Sequence, residues 1–204
     1  MGKRAVIFDF GGVLFKTRDY GPRHAWDDKL GLPHGSVERA VHNDQSWVAT
    51  QSGKLSLEDY WADVSERLNI SVTEAVTTLS LDFYSGDELD PEVLGIVRQL
   101  RLEGITVALL SNDTADLLHP RIDRLGITDL FEPLIISSEI GVMKPAPAAY
   151  KAVLEQLGRP ADETIFIDDR QENIGGAKAV GIHGIHYVDG MDLRGVLNPL
   201  LAFS

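Results

Sequence analysis

Four short apolar runs in this chain lead into polar side chains that a buried strand would reject. Ala5-Val6-Ile7-Phe8 runs into Asp9, and Thr106-Val107-Ala108-Leu109-Leu110 into Ser111. Leu134-Ile135-Ile136 is followed by Lys144, and Thr164-Ile165-Phe166-Ile167 by Asp168-Asp169. Burying a charge without a partner is costly, and chains keep such conflicts mostly where the group works. The runs are continuous rather than alternating, as in strands covered on both faces of a parallel sheet. Helical patterns closed by glycine lie between them: 91–103 before Gly104, 114–125 before Gly126, 147–157 before Gly158 and 173–180 before Gly181. Alternation of this kind predicts an α/β doubly wound, parallel-sheet core. After the first strand, further strands are expected over 105–110, 134–137, 164–167 and 185–188. Pro120 predicts a break or a kink within 114–125.

Residues 16–88 interrupt this rhythm with helical patterns and no convincing strand. Leu57, Trp61, Val64 and Leu68 share one face of a helix, and Ser71 or Thr73 can cap a second one reaching Phe83. Trp26, Trp47 and Trp61 all fall in this segment and read as packing. The expected organisation is a core of residues 1–15 and 89–204 with a helical insert, 16–88, closing over the end of the sheet. A net charge of −12 argues against nucleic acid or an anionic membrane as the main partner. The absence of cysteine excludes disulfides, zinc–thiolate sites and thiol nucleophiles. No run approaches membrane-spanning length, so a cytoplasmic protein is expected, as a monomer or weak homodimer.

Ligands of an open parallel sheet bind at the carboxyl ends of its strands. Asp9, Ser111, Lys144, Asp168 and Asp169 should therefore converge there. A carboxylate nucleophile, a hydroxyl, an ammonium and an acidic pair suit phosphoryl transfer with a hard divalent cation. The stretches Phe8-Asp9-Phe10-Gly11-Gly12-Val13, Leu110-Ser111-Asn112, Val142-Met143-Lys144-Pro145 and Phe166-Ile167-Asp168-Asp169-Arg170 resemble, in order, the four motifs of the haloacid dehalogenase superfamily. Within it the chain is similar to the phosphatase-like branch with a Rossmann-like core and a helical cap after the first motif.

The resemblance implies a Mg²⁺-dependent phosphatase acting on a small phosphorylated metabolite, such as a sugar phosphate. Asp9 would attack phosphorus and carry an aspartyl-phosphate. Asp9, the carbonyl of Gly11, Asp169 and, through water, Asp168 would hold Mg²⁺, with Asn173 orienting Asp169. Ser111, Asn112 and Lys144 would bind the phosphate. Phosphatases of the family usually carry a second aspartate two residues after the nucleophile, as general acid and base; Gly11 stands there. Its loss removes a contribution of typically about 10²–10⁴-fold. A good leaving group, water, or His24, His34 or His42 from the insert would have to compensate. Arg23, where the chain enters the insert, is a candidate grip for a substrate anion. Two alternatives remain: a metal-independent 2-haloacid dehalogenase, which Asp168-Asp169 argues against, and a non-catalytic phospholigand-binding protein.

Overall fold

The computed structural model describes residues 4–201. The strands are β1 (Ala5–Phe8), β2 (Phe15–Thr17), β3 (Asp87–Leu89), β4 (Thr106–Ser111), β5 (Leu134–Ile136), β6 (Thr164–Asp168) and β7 (His183–His186). Five of them form one parallel sheet in the order β5-β4-β1-β6-β7. This is an α/β, Rossmann-like architecture. The chain first builds outward from β1 through β4 to β5, then returns to the other side of β1 for β6 and β7. The switch point therefore lies between β1 and β6.

The continuous apolar runs are explained by burial on both faces. Val6, Phe8, Val107, Leu109, Ile165 and Ile167 join one apolar cluster, while Ile7, Ala108, Leu110 and Phe166 join another on the opposite face. The helices begin and end on the signals their residues carry. Asp90 caps Pro91–Leu102 by accepting the N–H groups of Glu92 and Val93. Gly126 and Gly158 close their helices in the left-handed conformation.

Three details differ from expectation. The segment 115–125 is one helix with Pro120 inside it, so the chain does not break there. The last strand is 183–186 rather than 185–188, because its register pairs His183 with Ile165 and His186 with Asp168. An edge strand with exposed histidines at both ends has no apolar signature. The stretch read as lacking strands is also bounded by two: β2 and β3 pair antiparallel where the chain leaves and re-enters the core.

Between β2 and β3 the chain is helical: Gly21–Lys29, Ser36–Val41, Ser46–Gln51, Leu57–Leu68, and a run from Val72 to Phe83 whose middle, Ala75–Leu79, is a π-helix. Ser71 caps that run by accepting the N–H of Glu74. These helices bury their own apolar cluster around Trp26, Tyr60, Trp61 and Phe83. Gln51 reaches the core: its Nε2 donates to the Asn112 carbonyl at 2.7 Å, and its own carbonyl accepts from Ser137 Oγ at 2.6 Å. The helices thus meet the core at the carboxyl ends of β4 and β5. Among the described residues no helix is long and apolar enough to cross a membrane.

Candidate functional site

Asp9 follows β1 at the switch point. Its N–H donates to the Ile167 carbonyl of β6, and its Oδ1 accepts the Phe10 N–H at 2.8 Å and the Lys144 ammonium at 2.7 Å. Oδ2 accepts no hydrogen bond from the described residues. Lys144 is buried and also donates to Asp168 Oδ2 and the Leu110 carbonyl, both at 2.8 Å. Ser111 ends β4, buried, with its hydroxyl bonded to no other described residue. The sheet thus gathers Asp9, Ser111, Lys144, Asp168 and Asp169 at one edge, as their strand-end positions suggested.

Asp168 and Asp169 differ in how they are held. Asp168 Oδ1 accepts the Arg170 N–H and the Asn173 amide, and Oδ2 accepts Lys144 and Asn173. The Asp169 carboxylate accepts nothing from another described residue. Asn173 therefore holds Asp168, not Asp169 as expected; it lies in the first turn of the helix Gln171–Ala179 that follows β6, where its amide faces Asp168. Gly12 explains how the first loop comes so close. It adopts φ +80°, and a Cβ there would sit 2.3 Å from Asp169 Oδ2. Asn112 has a structural role as well. Its side chain clamps the Lys144 backbone, donating to the carbonyl at 2.9 Å and accepting the N–H at 2.8 Å. Its side chain thereby positions the lysine.

The electrostatics follow from burial. Desolvation pushes the Asp9 carboxyl up to about 7, Lys144 pulling the other way and Asp168 adding to the rise. Burial alone would depress the Lys144 ammonium, but Asp9 and Asp168 outweigh it and hold it above its usual range. Burial, reinforced by Asp168, also raises Asp169. One oxygen from each of Asp9, Asp168 and Asp169 lies within 4.8 Å of the others. Three carboxylates against one ammonium leave an excess of two negative charges. With hard oxygen donors still open on Asp9 and Asp169, this set fits a divalent cation such as Mg²⁺.

A cavity of about 790 Å³ opens above these residues, walled by the sheet edge on one side and the helical segment on the other. Of the three histidines considered, His42 lines it; His24 and His34 do not, and instead stack on each other at 4.2 Å. His42 Nδ1 bonds Glu38 Oε1 at 2.8 Å, leaving Nε2 without a partner among the described residues. Trp26 and Trp61 are buried packing, whereas Trp47 faces the cavity. Arg23 is no free anion grip. Its guanidinium is buried and bonded to Glu38, Asp87, Thr17 and the Phe83 carbonyl, tying the helices to β2 and β3. A Cβ on Gly11 would meet no atom within 4 Å, so space does not forbid a side chain there.

Asp113 and Arg121, which carry no motif, also line the cavity. Burial pushes the Asp113 carboxyl up to about 6, with Arg121 opposing. A carboxyl raised in the folded state leaves stability intact below its ordinary value near 4 and erodes it as pH rises toward about 6. Asp113→Asn should therefore gain on the order of 2–3 kcal/mol at pH 7.5, where the charged form is penalised, and nothing at pH 3.5. Urea unfolding at the two pH values checks this; an equal gain at both would sink it.

The fold and the acidic cluster at its switch point define an α/β, Rossmann-like protein that presents an aspartate at the end of its first strand. The chain belongs to the haloacid dehalogenase-like hydrolase family, whose match covers residues 3–181. It is 28% identical over 188 residues to a sesquiterpene phosphatase of Aspergillus oryzae, covering 92% of this chain and 91% of the relative. It is 33% identical over 185 residues to the phosphoglycolate phosphatase of Yersinia pestis, covering 87% and 78%. A (S)-2-haloacid dehalogenase of a Pseudomonas species is 27% identical over 191 residues, covering 89% and 83%. The fold is shared with a family enzyme of Bacteroides thetaiotaomicron, solved with magnesium and inorganic phosphate. That structure has a TM-score of 0.77 and 24% identity, and the match covers 96% of this chain and 99% of that one.

Proposed function

We propose that this protein is a Mg²⁺-dependent phosphatase of a small phosphorylated metabolite, with Asp9 as nucleophile and residues 16–88 as the cap that selects the substrate. The observation that carries this reading is the acidic pair Asp168-Asp169 beside Asp9, with donor oxygens within 4.8 Å. A dehalogenase needs no such excess of negative charge. Asp9, Asp169 and the Gly11 carbonyl would hold the cation, with Asp168 reaching it through water. Bound there, Mg²⁺ would offset the charge of the carboxylates and of the phosphate.

The Asp9 carboxylate attacks phosphorus, and the bond from phosphorus to the leaving oxygen breaks. That oxygen takes a proton. Water then attacks phosphorus of the aspartyl-phosphate, freeing inorganic phosphate and restoring Asp9. Ser111 donates its hydroxyl to the phosphoryl group, and Lys144 holds Asp9 in place while balancing its charge. A screen of sugar, nucleotide and acyl phosphates with and without Mg²⁺ tests the reading. Phosphate release that vanishes in EDTA is expected; metal-independent release would sink it. The dehalogenase relative and Gly11 favour one second reading, which halide release from a 2-haloacid without Mg²⁺ would establish.

His42 is the proton donor this reading selects in place of an aspartate at Gly11. Its Nδ1 is held by Glu38 and its Nε2 is open, the arrangement a positioned acid–base imidazole requires. His42→Ala should lower kcat by about 10²-fold for alkyl phosphates and far less for p-nitrophenyl phosphate, whose leaving group needs no proton. Gly11→Asp in the same background should recover much of the loss. A uniform loss across leaving groups would rule out proton transfer by His42.

A further inference from the structure

The cavity holds five cationic side chains, Lys16, Arg23, Arg121, Lys144 and Arg170. Four are paired. Lys16 contacts Asp90 and Asp189, Arg23 contacts Glu38 and Asp87, Lys144 contacts Asp9 and Asp168, and Arg170 contacts Glu172. Arg121 makes no ion pair and no hydrogen bond with the described residues. Its guanidinium is half-buried between two rings, 4.3 Å from the centre of Tyr84 and 5.3 Å from that of Phe15. Aromatic faces stabilise the cation and fix its plane but accept none of its N–H donors. A partly desolvated guanidinium whose donors are unmatched is set up for an oxyanion brought in from outside.

The other acids of the cavity do not fill that role. Asp87 and Glu38 are bonded to Arg23, and Asp113, which does feel the guanidinium, accepts the Thr114 N–H and forms no ion pair with Arg121. Arg121 stands on the helix after β4, whereas Ser111 ends β4 itself, so both belong to one wall of the cavity. A cavity of about 790 Å³ is also far larger than a phosphate alone requires.

We propose that Arg121 is a specificity-determining residue, binding a carboxylate carried by the substrate while the phosphate sits at Asp9 and Ser111. This rests on the phosphatase reading and names its substrate class: phosphorylated carboxylic acids rather than neutral sugar or alkyl phosphates. The fork of a guanidinium matches a carboxylate with two parallel hydrogen bonds, which a hydroxymethyl group cannot reproduce.

The test compares 3-phosphoglycerate with glycerol 1-phosphate, which differ by a carboxylate in place of a hydroxymethyl group. Binding is measured by calorimetry on the Asp9→Asn protein with Mg²⁺, so turnover plays no part, and inorganic phosphate reports on the phosphate end. The acid should bind at least tenfold more tightly than the alcohol. Arg121→Met in that background should erase the difference, and Arg121→Lys should keep part of it. An alcohol bound as tightly as the acid, or a loss equal for both ligands in Arg121→Met, would overturn the proposal. The same ligands are then offered to the protein with Asp9 intact. Acid-selective binding without phosphate release would sustain the role of Arg121 while removing the phosphatase reading. Release without acid selectivity would do the reverse.

Discussion

Asp9→Asn is expected to lower phosphate release by about 10⁴-fold or more, the scale seen when a covalent nucleophile is removed. The substitution keeps the volume of the side chain. Its remaining oxygen can take the place of Oδ1 and still accept both the Phe10 N–H and the Lys144 ammonium, which also keeps Asp168 and the Leu110 carbonyl. It also removes a carboxylate that burial disfavours, so, as for Asp113→Asn, the variant should be at least as stable as the wild type at neutral pH. Single-turnover phosphate release and urea unfolding, run side by side, separate the two effects. Activity retained above about one part in a hundred would mean that water attacks phosphorus directly and that Asp9 serves another purpose. Inactivity together with unfolding would assign Asp9 a structural role instead.

The groups legible in the sequence are those whose meaning is local. Asp9, Ser111 and Asp168 each interrupt a buried run, and the rules of parallel sheets bring strand ends together without knowledge of which strands are neighbours. What the sequence hides is set by contacts between distant segments. Arg23 looks like a free cation at the mouth of the insert. Its role is decided by Glu38 and Asp87, fifteen and sixty-four residues away. Arg121 has no motif because the rings holding it, Phe15 and Tyr84, come from the two sides of the insert. Strands β2 and β3 are three residues each, too short for a period of two to appear. Asn112 and Asn173 sit in recognisable motifs, yet the motif names only a place. The hydrogen bonds show that one clamps Lys144 and the other Asp168.

Lys144→Met should be the most destabilising change at the site, at about 3–5 kcal/mol at neutral pH in EDTA. The ammonium is buried and, among the described residues, is the one cation in contact with both Asp9 and Asp168. A methionine of similar length fills the volume but leaves two buried carboxylates and the Leu110 carbonyl without their donor. The protein can soften the loss by protonating Asp9, whose carboxyl already sits near 7. The deficit should therefore shrink as the pH falls below neutrality. Kinetically, loss of one charged donor at the reacting carboxylate should lower kcat by about 10²–10³-fold beyond any effect of unfolding. If the cluster is a cation site, saturating Mg²⁺ should return part of the stability, because a dication held by Asp9 and Asp169 would supply positive charge to the same cluster and favour the folded state by mass action. Urea unfolding of wild type and variant, with EDTA and with Mg²⁺, measures all of these stability terms. A loss below about 1 kcal/mol in EDTA would show that water already screens the cluster. A loss that Mg²⁺ leaves untouched would show that the acidic excess at Asp9, Asp168 and Asp169 is not a cation site.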